Sequence, residues 1–262
     1  MRSTIIMRLI SQELSDRDIP VTPVDGIAGY GSEQQVKYPS WQLADLRKSI
    51  LARSEQTPVL LIAHCIGTVA ALGAAEQLAD ERTVGLISIA PPLPSPHDTV
   101  HTPQSRKKRS ENDTRMQVID LPEGAVDYSV TTASTARIDP QYFEDMRQAG
   151  NLELRLRSRV EAGRAAVYAA EHDWNVASPR RVRAWHEDWR ATYGPETFEA
   201  LQARAPVVAN AAHGLYLSPR SGDDISPEAD RRFQSDNVTR LVDAGLELLA
   251  APDATAAYRR AA

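Results

Sequence analysis

Residues 58–78, PVLLIAHCIGTVAALGAAEQL, constrain this chain more than any other stretch. Pro58–Ala63 is apolar at every position. A strand of that kind must be covered on both faces, as in a parallel sheet with helices on each side. From Gly67 the residues are mostly Ala, Gly, Leu and Val, the makings of a helix that packs closely on a sheet. Between strand and helix sits Cys65, the only cysteine in the chain. Small residues flank it two places before (Ala63) and two places after (Gly67), where larger side chains would collide with neighbouring elements. The start of the following helix offers free N–H groups and a dipole that favours negative charge. It therefore suits a thiolate and a developing oxyanion, with the N–H of Ile66 as first donor.

The rest of the chain repeats the alternation. Residues 4–15 place Ile5, Ile6, Leu9, Ile10 and Leu14 at helical spacing, and 41–55 do the same with Leu43, Leu46, Ile50 and Leu51. Between them, residues 20–25 read as a short extended segment leading into a glycine-rich turn. Val84–Ala90 is a second buried strand, stopped by Pro91 and Pro92. Residues 93–135 are rich in Pro, Ser, Thr and charge and read as an insertion or lid; their basic run SRKKRS (105–110) reads as a solvated loop. Asp139–Pro140 opens a helix ending near Gly150, and a second helix covers about 151–162. Ala165–Ala170 is an apolar strand, Ser178–Pro179 opens a helix to about 192, Val207–Ala211 is a last strand and 227–250 a closing helix. The expectation is an α/β fold with a mostly parallel sheet flanked by helices. Its core comprises 1–92 and 161–252, 93–160 form a cap, and 253–262 are a frayed tail.

Bulk properties exclude several classes. A net charge of −5 gives no electrostatic case for nucleic acid or anionic membranes. No run approaches the ~20 apolar residues of a membrane span, and the N-terminus does not read as a signal peptide. A single cysteine makes no intramolecular disulfide and, with scattered histidines, no zinc site. A cytoplasmic protein without metal or cofactor is expected.

Ala63-His64-Cys65-Ile66-Gly67 resembles the nucleophile elbow of the α/β-hydrolase superfamily, with Cys where Ser is more common. The resemblance extends further. Asp25–Ser32 (DGIAGYGS) is similar to a glycine turn of that fold, residues 165–182 to the strand and loop presenting its acid, and Asn210–Gly214 (NAAHG) to the loop presenting its histidine. The resemblance implies Cys65 as nucleophile, Asp173 as acid and His213 as general base, in the family's chain order, with Glu171 as the fallback acid. His64 and the turn at 25–32 read as structural, His172 as surface or supporting, and His97 and His101 as solvated. Tyr142, Phe143 and Met146 of the cap serve either a helix core or an apolar acyl pocket.

The implied activity is hydrolysis or transfer of an acyl group from an ester or thioester, free or carrier-protein-bound, through an acyl-cysteine. The alternatives are a dienelactone-type lactone hydrolase and a catalytically degenerate binding protein. The family's first strands, and the loop that gives its second oxyanion donor, have no counterpart before Asp25. The expectation is therefore an N-terminally truncated form, or a segment STIIMRLI (3–10) that fills the gap as a strand, or a half-formed oxyanion hole.

Overall fold

A computed structural model describes residues 2–24, 27–28, 35–36, 39–52, 57–65, 67–79, 83–93, 118–120, 126–129, 135–138, 151–173, 178–218 and 226–250. The expected helix at 139–150, the turn residues 25–26 and 29–32, the SRKKRS run, His97, His101, Tyr142, Phe143, Met146, the tail and Ile66 lie outside the described residues.

The core is a four-stranded, all-parallel sheet. In chain order the elements around it begin with α1 (Arg2–Asp16) and the short strands β1 (Ile27–Ala28) and β2 (Gln35–Val36). Then come α2 (Pro39–Leu51), β3 (Val59–His64), α3 (Gly67–Gln77) and β4 (Val84–Ile89). Strands β5 (Val118–Asp120), β6 (Val126–Ser129) and β7 (Thr135–Ile138) precede α4 (Leu152–Glu161), β8 (Ala165–Ala170) and α5 (Ser178–Thr192). The chain closes with α6 (Pro195–Arg204), β9 (Val207–Val208) and α7 (Pro227–Ala250). The core sheet runs β3-β4-β8-β9, while β1, β2, β5, β6 and β7 form a separate small sheet.

Strand alternation divides the core. Leu61, Ala63, Val84, Leu86, Ala165, Val167 and Ala169 face α2 to α6, where Leu72, Leu156, Trp185 and Trp189 close the layer. Ile87, Ile89, Ala166, Tyr168 and Ala170 face α1 and α7, meeting Ile6, Ile10, Leu241 and Val242. A sheet covered on both sides has no polar face, which is why β4 and β8 are buried at every position. Helix α7 lies very close: a Cβ at Gly245 would stand 2.5 Å from Leu60 Cδ2, so the missing side chain sets the approach.

The structure departs from the sequence expectations in four places. Residues 3–10 belong to helix α1, not to a strand filling a gap in the sheet; Ile6, Ile10 and Leu14 share one buried face that packs on α7, while Ile5 and Leu9 stay exposed. The segment after Pro20 joins no core strand. Helix α4 lies within the expected cap, yet Leu152, Leu156 and Val160 are core residues, so the last part of 93–160 packs with the sheet. Helix α6 was not foreseen, although Gly194 as N-cap with Pro195 at the first position marks it.

Candidate active site

Cys65 directly follows strand β3. Its N–H still bonds Ile89 O across the sheet at 2.8 Å, and its carbonyl already accepts from Thr68 N at 3.1 Å in the first turn toward α3. One residue thus completes a strand ladder and starts a helix. The backbone meets both demands only with φ at 54°, the left-handed region that L-residues rarely adopt. Below the turn, Thr68 Oγ1 and Ser88 Oγ share a buried hydrogen bond of 2.8 Å that ties α3 to β4. The small flanks have a milder role than expected. A Cβ at Gly67 would meet the Ala63 Cβ at 3.9 Å, ordinary contact, so the crowding concerns side chains longer than one methyl.

Asp173 follows β8. The loop is held by Asp173 N to Ala170 O (3.0 Å) and His172 N to Ala211 O (2.9 Å). His213 follows β9 in a turn fixed by Ala212 N to Tyr216 O and Leu215 N to Ala212 O. Left-handed residues stand on either side of it, Asn210 (φ 58°) and Leu215 (φ 53°), and Leu215 is fully buried. The site therefore stands at the C-terminal ends of parallel strands, where loops converge and backbone groups are free.

These loops bring the expected residues together. His213 Nδ1 donates to Asp173 Oδ2 at 2.7 Å, with the Asp173 side chain wholly buried and that of His213 19% exposed. Cys65 is the ring's other hydrogen-bonding neighbour. Burial alone would lower the imidazole's pKa. Hydrogen bonding to Asp173 and to Cys65, and the charge on both, outweigh that and push it up to about 10.

Three neighbours acquire roles the sequence did not specify. His64 Nε2 donates to the His213 carbonyl at 3.0 Å, and the two rings stand edge-on with centroids 4.6 Å apart. Burial and the adjacent His213 push the His64 pKa down to about 4, so its ring is a neutral prop. Glu171, the fallback acid, faces elsewhere: Oε2 accepts from Asn210 N (3.1 Å) and Oε1 from Arg183 Nη2 (3.2 Å). It steadies the left-handed residue at the base of the His213 loop. His172 contributes its backbone N–H to that loop. Of the two carboxylates, the one the resemblance puts first, Asp173, reaches the histidine, and the fallback does not.

Among the described residues no group of three His, Cys, Asp or Glu side chains is arranged to hold a metal ion, and no helix is long and apolar enough to cross a membrane. Fold and site together define an α/β protein whose Cys, His and Asp converge at the C-terminal ends of a parallel sheet. Comparison with family models, curated proteins and solved structures finds no match.

Proposed function

We propose that the chain is an acyl-transfer enzyme of the α/β-hydrolase kind, acting on esters or thioesters through an acyl-Cys65 intermediate. The observation that carries this reading is the meeting of a cysteine at positive φ with a buried His213–Asp173 pair, three residues drawn from three separate strand ends. Mere burial of a cysteine asks for neither a strained backbone nor an oriented imidazole.

A histidine whose protonated form is favoured supports His213 as the holder of the Cys65 thiol proton, which leaves an imidazolium beside the attacking sulfur. The sulfur attacks the acyl carbon, and the carbonyl π electrons move onto oxygen at the N-terminal end of α3. The bond to the leaving group breaks as the tetrahedral centre collapses. The departing thiol or alcohol takes the proton from His213 Nε2. Water, or an acceptor alcohol or amine, then gives a proton to the neutral Nε2 as it attacks the acyl-cysteine. The C–S bond breaks and the ion pair is restored. Asp173 holds the tautomer and steadies the imidazolium without taking a proton itself.

Cysteine favours thioester donors. Moving an acyl group from one sulfur to another is nearly balanced, whereas taking it from an ordinary ester is uphill. The test is intact mass after incubation with a short acyl-thioester and with an aryl ester. An adduct that vanishes in Cys65→Ala and forms far more slowly in His213→Ala is expected. Slow alkylation of Cys65 at pH 6 would turn the reading toward a binding protein, because an unpaired thiol of pKa ~8.5 is only about 0.3% thiolate there.

A further inference from the structure

Three buried side-chain atoms have no hydrogen-bond partner among the described residues: Arg159 Nε, Ser178 Oγ and Asn237 Nδ2. Arg159 is otherwise held by the carbonyls of Ala75 and Val84, and Ser178 opens α5. Asn237 is different. It lines a cleft of about 570 Å³ between the outer strand β9, the end of β8 and helix α7. That volume lies within the ordinary range of small-molecule sites. Cys65, Asp173 and His213 are not among its walls.

The walls have a definite chemistry. Asn237 is 5% exposed, so its amide offers donors where water does not reach freely. Tyr168, 7% exposed, lines the same cleft with a hydroxyl that is protonated at neutral pH, and burial pushes its pKa further up, to about 12. Val208 and the half-buried ring of Phe233 supply apolar surface. At the exposed side Asp236 and Arg240, one turn apart on α7, put one charge of each sign at the rim. Recognition here is therefore set by the buried donors and the apolar walls more than by net charge. A buried amide left unpaired is costly and persists where something accepts from it.

We propose that this cleft is a second binding site, for a small molecule with a flat apolar body and a carbonyl-type acceptor, carboxamide or carboxylate, bound to Asn237 and Tyr168. The ligand's acceptor oxygen meets the buried donors while its body lies against Phe233 and Val208. A carboxylate would gain from Arg240 as well; a carboxamide would also donate to the Asn237 carbonyl.

The experiment is a titration of the full chain with benzamide and with benzoate, following the backbone amide resonances of Val207, Val208 and residues 233–240 by two-dimensional NMR, which persist in every variant below. Saturable shifts with a Kd of ~1 mM are expected for at least one probe, as fits fragments of this size. Asn237→Leu should weaken binding tenfold or more while the Tm holds or rises, because the substitution removes an unsatisfied donor at similar volume. Phe233→Ala, at a half-buried position, should weaken it as well. Benzoate binding that depends on Arg240 marks an acid ligand, and benzamide binding unaffected by Arg240→Gln marks a neutral one. Either result supports the site. Absence of saturation by both probes, or binding undiminished in Asn237→Leu and Phe233→Ala, would overturn it. Acylation of Cys65 plays no part in these readouts.

Discussion

Two regions of this molecule set a carboxylate against a ring N–H, and they do so for different ends. At the C-terminal edge of the sheet, Asp173 accepts from His213 Nδ1 at 2.7 Å. On the helical layer, Glu153 accepts from Trp185 Nε1 at 3.1 Å and Glu161 from Trp189 Nε1 at 2.7 Å. The bonds are alike in length. The donors are not: an indole N–H never titrates, whereas an imidazole exchanges its proton near neutrality. The surroundings differ too. The Asp173 side chain is wholly buried, while those of Glu153 and Glu161 keep 21% and 30% of their exposure. Glu153 is also shared with Arg181, and Glu161 with Arg157, so the charge of each has a fixed cation. Asp173 acts on a ring that can be neutral or charged. The tryptophan pairs anchor the large rings that fill the core, and the histidine pair holds a proton in reserve beside a thiol.

Several substitutions separate these two uses. The largest effect is expected for Asp173→Asn, which keeps shape but loses the charge and the tautomer control. Acylation of Cys65 should slow by ~10²–10⁴-fold, read by quenched-flow mass spectrometry. Glu153→Gln should leave that rate unchanged. An Asp173→Asn protein that acylates normally would erase the distinction between the two carboxylate sites.

Next in size is Trp185→Ala, which empties a core position exposed by only 1%. A loss of ~3–5 kcal/mol in denaturant unfolding is expected, with the acylation rate per folded molecule unaffected.

Proton linkage gives a third contrast. Folded His213 keeps its proton up to about pH 10, whereas the unfolded chain releases it near the ordinary value of 6.5. Its contribution to stability is thus complete below pH 6.5 and disappears as the pH rises toward 10. His64 runs the other way. With a folded pKa of about 4 it is neutral where the unfolded chain is already protonated, so its contribution holds above 6.5 and is lost as the pH falls toward 4. Thermal unfolding across pH should therefore show a steeper alkaline loss in the native chain than in His213→Gln, and a steeper acid loss than in His64→Gln.

The smallest effect belongs to the frame that carries Glu153. Asn151 caps α4 by accepting from Leu154 N at 3.1 Å. Asn151→Ala should cost ~1 kcal/mol and leave Cys65 chemistry alone.

Much of this architecture is written locally. Ala165–Ala170 is a strand buried at every position, as its composition asks; Pro58–Ala63 is a strand too, but β3 ends the core sheet and only Leu61 and Ala63 are buried in it; the small residues around Cys65 announce a tight turn into a helix. The Gly194–Pro195 start of α6 was equally local and was passed over, because few apolar residues follow it to mark a face. Choosing between Glu171 and Asp173 is another matter. Both stand in one short loop, and their chemistry is the same. Glu171 directly follows β8, its N–H bonded to Val208 O, and its carboxylate falls on Asn210 N and Arg183. Two residues later the chain has turned, and Asp173 reaches the histidine.

The sequence by itself determined the order of the core strands, the helices between them other than α6, and the strand–cysteine–helix turn, since each depends on residues close together in the chain. The tertiary structure alone decided that Glu171 turns to Asn210, that His64 supports the His213 ring from the side, and that Asn237 lines a cleft with no partner for its Nδ2 among the described residues. Those outcomes depend on strand register and on how closely α7 approaches the sheet, which are set by packing between elements distant in sequence.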